Sequence, residues 1–174
     1  MFSIPVLYLA AMYRARLGHS PKSFFDCGCA AGELVRQADE AGLDSQGIDV
    51  KLYPVPIANL KYFLDGRIKI KSILDCCGIK ADLAYANGTL TYLSEETLPA
   101  ALSKFFGANM LVAIHNTAED IAAAKNQGDE LLHDEPRLIK PREWWMKTLR
   151  ENGFDADFDK KYGCFCAIPK SRAR

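Results

Sequence analysis

Residues 24–32 read Phe24-Phe25-Asp26-Cys27-Gly28-Cys29-Ala30-Ala31-Gly32. The apolar run before Asp26 predicts a strand, and residues 33–38, which follow at once, have helical character. The small residues between them allow the backbone to approach a ligand closely and aim the N-terminus of the helix at that ligand. The stretch therefore predicts a ligand-binding turn between a strand and a helix.

The rest of the chain alternates predicted strands with predicted helices. Helices are expected at residues 6–18, 33–41, 53–64, 94–106 and 141–152, and a helix-prone stretch at 117–125. Strands are expected at residues 23–25, 45–50, 67–74, 81–86, 110–115, 154–158 and 163–168. Alternation of this kind predicts an α/β protein whose mostly parallel sheet is covered on both faces.

The composition predicts one domain without a strong charge. Of the 174 residues, 49% are hydrophobic, which is enough for a packed core. The 22 basic and 22 acidic residues cancel, so no overall field favours a nucleic acid or an anionic membrane as partner. No apolar run reaches the roughly 18 residues of a membrane span, and the apolar residues 4–12 lack the flanks of a signal peptide.

The six cysteines occur as Cys27-x-Cys29, Cys76-Cys77 and Cys164-x-Cys166. Because C-x-x-C spacing is absent and histidines are few, we expect no metal site and interpret the cysteines as small buried hydrophobes. Free cysteines are typical of a reducing compartment, which predicts a cytoplasmic protein.

The order Asp26-x-Gly28-x-Ala30-x-Gly32 resembles the first motif of the class I S-adenosylmethionine-dependent methyltransferases, of the small single-domain, small-molecule type. The dinucleotide fingerprint G-x-G-x-x-G fits less well, because Gly32 comes one residue early and Glu33 stands in the place of the third glycine. The resemblance implies a Rossmann-like, three-layer αβα sandwich. Its seven-stranded sheet would be mostly parallel, with an antiparallel strand in a C-terminal hairpin.

Three later segments continue the resemblance, which covers residues 22–169. Asp49 closes the second predicted strand 17 residues after Gly32, where the family places an acid on both ribose hydroxyls of its cofactor. A carboxylate suits that role because its two oxygens can accept from a vicinal diol. Residues 82–93 are similar to the fourth motif, and residues 141–154 to the late helix and the turn into the closing hairpin.

The resemblance implies S-adenosylmethionine as cofactor, held by a set of residues at the ends of the first four strands. These are Asp26, Gly28, Cys29, Ala30, Gly32, Asp49, Val50, Ser72, Ile73 and Asn87. A branched side chain at Gly28 is expected to enter the space of the cofactor. Ser72 stands where the family usually has an aspartate near the adenine, so Ser72 and backbone groups are expected to serve there.

On the acceptor side, His115 is the predicted catalytic base, and Tyr92 and Asn116 are predicted to face the substrate. All three follow strands at the edge of the sheet where ligands bind, and an imidazole titrates near neutral pH. The alternative is that His115 is structural, hydrogen-bonded to nearby backbone or capping the next helix, because Asn116 and Thr117 form a capping signal.

The acceptor is expected to be a small molecule. Residues 86–89, after the fourth strand, lack the Asn-Pro-Pro-Tyr clamp used on a flipped base, so no nucleic acid is expected. The insert at residues 117–140 is either a lid over the acceptor or a solvated connection.

Two other functions stay open. The chain could be a non-catalytic S-adenosylmethionine-binding subunit of a partner methyltransferase, which would explain the lack of a substrate domain; a homodimer is also compatible with the sequence. The second alternative function is that of an NAD-linked oxidoreductase, which the glycine spacing and the C-terminal hairpin oppose.

Overall fold

The computed structural model describes residues 4–115, 117–120, 122 and 138–171. Its main helices are α1 (Val6–Leu17), α2 (Glu33–Glu40), α3 (Ile57–Leu64), α4 (Leu98–Ser103) and α5 (Arg142–Glu151). Its strands are β1 (Ser23–Cys27), β2 (Asp44–Asp49), β3 (Ile68–Ile70), β4 (Leu83–Asn87), β5 (Met110–Ile114), β6 (Phe154–Asp159) and β7 (Cys164–Pro169). Apart from α3, β3 and α4, these bounds agree with the predicted ones to within two residues.

In the described ranges the strands form one seven-stranded sheet in the order β3-β2-β1-β4-β5-β7-β6. Strands β1 to β5 pair in parallel, whereas β7 lies antiparallel between β5 and β6. The predicted α/β fold with an antiparallel strand in the C-terminal hairpin is confirmed. The order reverses between β1 and β4, and a crevice at such a point is where open α/β sheets bind ligands.

Helices cover both faces of this sheet. On one face α1 and α2 bury Leu9, Tyr13 and Leu34 against the central strands. On the other face α4 and α5 bury Leu102 and Trp145 in the largest apolar cluster. Central strands β4 and β5 are buried almost throughout, as expected for parallel strands enclosed between two helical layers. The result is the predicted three-layer αβα sandwich.

Helix α3 begins at Ile57 rather than at residue 53, which corrects the prediction. Pro54 and Pro56 are the reason: a residue that precedes proline is disfavoured in the helical region, and Pro56 itself is extended, with ψ 145°. Strand β3 also ends earlier than the predicted residue 74, because Ser72 caps a short 3₁₀ turn, Ile73–Asp75, by accepting a hydrogen bond from the Leu74 amide.

Helix α4 is shorter than the predicted 94–106. Ser94 and Thr97 exchange hydrogen bonds in a turn before the helix: Ser94 Oγ accepts from the Thr97 amide at 3.2 Å, and Thr97 Oγ1 accepts from the Ser94 amide at 3.1 Å. Ser94 therefore closes a turn instead of acting as the N-cap. After Ser103 the chain continues as a 3₁₀ turn, Lys104–Gly107.

Asn116 and most of residues 117–140, the predicted lid, lie outside the described residues. Among the helices that the structure describes, none has the length and apolar character needed to cross a membrane.

Candidate functional site

The turn after β1 is held in an unusual backbone conformation. Gly28 and Gly32 have φ of 86° and 83°, and Ala30 has φ of 47°, a left-handed value that is uncommon for a residue with a side chain. The amides of Gly28 and Cys29 both donate to the carbonyl of Ile48, at 2.8 and 3.0 Å. The turn is therefore fixed to the end of β2, and α2 starts directly from it.

Gly28 is required by the protein itself. A Cβ atom there would lie 1.9 Å from Thr89 Oγ1, which donates to the Cys27 carbonyl at 2.7 Å. This contact links the ends of β1 and β4. A side chain at Gly28 would therefore collide with Thr89 whatever the cavity holds, and its entry into the cofactor's space stays a prediction.

Asp49, at the end of β2, is oriented by two backbone donors. Its Oδ2 accepts from the Ala30 amide and its Oδ1 from the Lys51 amide, each at 2.9 Å. The carboxylate is 8% exposed. Because each oxygen of an ionised carboxylate can accept about two hydrogen bonds, both retain capacity for a ligand.

A cavity of about 430 Å³ opens beside this carboxylate, at the carboxyl ends of β1 to β4. Eight predicted site residues line it: Gly28, Ala30, Asp49, Val50, Ser72, Ile73, Asn87 and Tyr92. Seven further residues line it that sequence reasoning had not singled out, namely Cys27, Ile48, Lys51, Tyr53, Lys71, Thr89 and Leu93. Most of these are neighbours of predicted residues at strand ends, so position next to a strand exit was the available signal.

Three of the predicted cofactor-binding residues do not line this cavity. Cys29 is buried with Val35 and Tyr62 beneath α2, where burial raises the pKa of its thiol. Gly32 caps α2, and a Cβ atom there would lie 2.2 Å from the side chain of Ile68. The third, Asp26, is 3% exposed within β1. These three residues support the turn but do not border the cavity.

Asp26 is a buried acid that lies near the charge of a second acid, Asp49. Burial, as the larger cause, and the nearby negative charge of Asp49 together raise the pKa of its carboxyl group to about 7. Near neutral pH, Asp26 is therefore divided between its protonated and ionised forms.

Two polar side chains on the cavity wall have hydrogen-bonding capacity. Among the described residues, Asn87 Oδ1 is buried without a hydrogen-bond partner. Buried polar atoms in native proteins are nearly always paired, so an unpaired one beside a cavity is a candidate ligand contact. Ser72 Oγ accepts from Leu74, which leaves its hydroxyl proton available for donation.

Asn59 supports the turn from α3. Its side chain is 1% exposed, and its Nδ2 donates to the carbonyl of Ala31 at 2.9 Å. Sequence reasoning missed this residue, although an asparagine within the apolar pattern of a helix was a visible signal.

His115 does not lie at the cavity. Its imidazole is 2% exposed and stacks on Trp145, with ring centroids 3.9 Å apart. Burial lowers its pKa to about 3, so the ring is neutral at pH 7 and a weak base. The expectation of a catalytic base at the sheet edge is therefore not supported, because α5 covers the position.

The alternative that His115 caps the next helix is not supported either. Thr117 Oγ1 accepts from the Asp120 amide at 3.3 Å, and Asp120 Oδ2 accepts from the Thr117 amide at 3.0 Å. Thr117 is thus the cap. Of the two predicted acceptor-side residues, Tyr92 is 49% exposed at the cavity, and Asn116 lies outside the described residues.

Comparison with solved structures identifies the fold. A 1,6-didemethyltoxoflavin-N1-methyltransferase from Burkholderia thailandensis, with bound 1,6-didemethyltoxoflavin and S-adenosylhomocysteine, matches 93% of this chain and 76% of its own, with TM-score 0.65 and 16% identity. A complex of the Haloferax volcanii Trm112 methyltransferase activator matches 93% of this chain and 89% of its own (TM-score 0.63, 11% identity). The small RNA methyltransferase HEN1 matches 95% of this chain and 25% of its own (TM-score 0.63, 13% identity).

This chain has a class I methyltransferase fold. No protein-family model matches it, and no curated protein matches its sequence. In that fold, the cavity occupies the crevice at the topological switch point between β1 and β4.

Proposed function

We propose that this protein transfers a methyl group from S-adenosylmethionine to a small-molecule acceptor. The observation that carries the proposal is the Asp49 carboxylate, held by the Ala30 and Lys51 amides on the wall of a cavity beside the glycine-rich turn. A nucleoside with a vicinal diol suits this carboxylate, because one oxygen can accept from each hydroxyl. The bound S-adenosylhomocysteine of the toxoflavin methyltransferase supports the same cofactor class.

The remaining wall fits the other parts of such a cofactor. Val50 and Ile73 offer apolar side chains for the adenine, and Ser72 offers a hydroxyl donor. The unpaired Asn87 Oδ1 is available to a donor on the cofactor or on the acceptor. When bound, S-adenosylmethionine would supply a methyl group whose bond to a positively charged sulfur breaks as an acceptor lone pair attacks the methyl carbon in line.

The chain's own contribution to the reaction would be orientation and exclusion of water. A turn fixed to β2, β4 and α3 holds the cavity wall rigid, so that two reactants can be kept in line at little cost in entropy. Since His115 lies elsewhere, the proposal requires no histidine base, and an acceptor that need not lose a proton on methylation needs no base at all.

A small molecule is the proposed acceptor for two reasons. The segment after β4 lacks the proline-rich clamp for a flipped base, and the toxoflavin methyltransferase holds a small heterocycle. The six cysteines are free, which supports a reducing, cytoplasmic location.

The first test is cofactor binding by calorimetry on the purified chain, with NAD as the competing ligand. S-adenosylmethionine should bind and NAD should not. Asp49→Ala should weaken binding about 10- to 100-fold, the equivalent of losing a charge-assisted hydrogen-bond pair. Asp44→Ala, at the exposed opposite end of the same strand, is the matched control and should bind as the wild type does.

Binding of NAD in place of S-adenosylmethionine, or equal affinity in both variants, would contradict the assignment. Turnover is then tested by release of S-adenosylhomocysteine from pooled metabolites and, separately, from small RNA. Methylation confined to RNA would refute the acceptor class while leaving the cofactor intact.

A second candidate function is a cofactor-binding subunit that works with a partner protein. The match to a complex formed by a methyltransferase activator favours it. It differs in outcome: the chain alone would bind S-adenosylmethionine but release no S-adenosylhomocysteine until the partner is added.

A further inference from the structure

We infer that the end of the sheet formed by residues 50–71, which we call the α3–β3 face, docks a protein partner whose surface is acidic and partly apolar. The face comprises the loop after β2, helix α3 and strand β3. The inference concerns this surface and holds whichever acceptor the cavity takes.

An apolar stripe runs along the outside of α3. Ile57, Leu60 and Leu64 are 91%, 44% and 79% exposed, and their spacing of three and four residues places them on one side of the helix. Leu52, in the loop before the helix, is 71% exposed. A single exposed leucine needs no explanation, but a contiguous row of large apolar side chains is typical of an interaction surface.

Strand β3 adds a free backbone edge to this stripe, since no other strand of the described residues pairs with its outer side. It is the last strand of the sheet, and its inner side bonds to β2 through the Arg67 carbonyl (2.9 Å from the Gly47 amide) and the Lys71 amide (2.7 Å from the Asp49 carbonyl). In a parallel pair the intervening residues direct their amides and carbonyls away from the neighbouring strand. Ile68 and Ile70 thus offer an edge to which a partner strand can be added.

The charge of the face selects the partner. Residues 51–71 contain five basic residues and one acidic residue, Asp65, in a chain whose total charge is zero. Asp39 of α2 pairs with Lys61 (3.5 Å) and with Arg67, and Asp65 pairs with Arg67 (3.3 Å). With both acids counted, the face keeps an excess of positive charge, to which Lys69 and Lys71 on β3 and its exit contribute. Complementary charge favours an acidic partner. A second copy of this chain would bring the same lysines together, which opposes self-pairing at the edge.

A protein satisfies all three features better than other polyanions do. A lipid surface could cover the apolar stripe, but it supplies no strand to pair with β3. An RNA strand could meet the lysines, but Tyr53, 40% exposed, is the one exposed aromatic ring of this face, and its row of aliphatic side chains gives further bases no platform for stacking. The loop residues Val50, Lys51 and Tyr53 also line the cavity, so a docked partner would contact the cavity wall.

The test is zero-length cross-linking of the full chain, expressed in the cells that naturally produce it. A carbodiimide joins lysine amines to carboxylates in contact with them, and mass spectrometry locates each link. Lys61 lies 3.5 Å from Asp39 and can be linked to it within the chain. We therefore expect Lys69 to be linked to aspartate or glutamate residues of one partner protein. Ile57→Asp should lower the yield of these links about tenfold, as expected for loss of an apolar anchor. Leu7→Asp is the control, 73% exposed on α1, and should leave the yield unchanged.

Other outcomes overturn the inference. Links that lie elsewhere on the chain, links that Ile57→Asp does not reduce, or no links to another protein would each do so. Concentration-dependent links between two copies would assign the face to a homodimer. Binding to phosphatidylglycerol vesicles or to RNA that Ile57→Asp abolishes, without protein links, would assign it to a lipid or a nucleic acid. Both variants should melt like the wild type and bind S-adenosylmethionine equally, so failure of cofactor binding would count against the proposed function alone.

Discussion

Asp26→Asn tests the electrostatics beneath the turn. The carboxyl group is buried in β1, and its pKa rises from 3.8 to about 7, first because of burial and second because of the charge of Asp49. An asparagine has the same shape as the protonated acid and cannot ionise. The variant should therefore be more stable than the wild type at alkaline pH, and this advantage should disappear in acid.

The sign and size of this pH-dependent difference in stability follow from proton linkage. Between pH 3.8 and about 7 the folded wild type keeps a proton on Asp26 that the unfolded chain has lost, so wild-type stability falls as the pH rises through this window. About 3 pH units at about 1.4 kcal/mol each give an upper value of about 4 kcal/mol. That is a large part of the roughly 5–15 kcal/mol that holds a typical domain folded.

The assay is urea unfolding of cofactor-free protein at several pH values between 4 and 8. The quantity to plot is the free energy of unfolding of Asp26→Asn minus that of the wild type, which should increase by several kcal/mol across the range. Asp155→Asn, on the exposed outer side of β6, controls for the change in formal charge. A difference that is the same at pH 4.5 and pH 8 would refute the reasoning.

Three further substitutions probe other parts of the structure. Gly28→Ala should lower the melting temperature more than Gly42→Ala, because both have positive φ but only the first collides with Thr89; equal shifts would contradict this. His115→Phe should leave S-adenosylmethionine affinity unchanged, and it should reduce the loss of stability that the wild type shows as pH falls from 6.5 towards 3. Asn59→Leu should cost about 1 kcal/mol of unfolding free energy and weaken cofactor binding in calorimetry, and unchanged binding would exclude its support of the turn.

Much of the fold could be predicted because its signals are local. The turn after β1 is written in consecutive residues, and Asp49 follows at the end of the next strand. The start of α3 and the end of β3 were predicted wrongly because competing local effects set them. Pro54 and Pro56 move the start of the helix to Ile57, and Ser72 ends the strand by capping a turn.

The role of His115 could not be predicted from local signals. Its position after a buried strand indicated the ligand edge of the sheet, yet the side chain that covers it, Trp145, comes 30 residues later. Which of several polar residues at a sheet edge remains open to a ligand depends on helices packed from elsewhere in the chain. The burial of Asp26 beside Asp49 is likewise a property of neighbouring strands rather than of either segment.

The site is therefore local in sequence but held in place by distant segments. The end of β1 and the turn accept hydrogen bonds from Asn59 of α3 and from Thr89, which follows β4. The turn also bonds to β2 through the Ile48 carbonyl and the Asp49 carboxylate. No one of these segments could hold the left-handed backbone at Ala30 alone, since an isolated chain rarely adopts it. A cavity with this geometry exists only when β1, β2, β4 and α3 are assembled, which ties ligand binding to the integrity of the whole sheet.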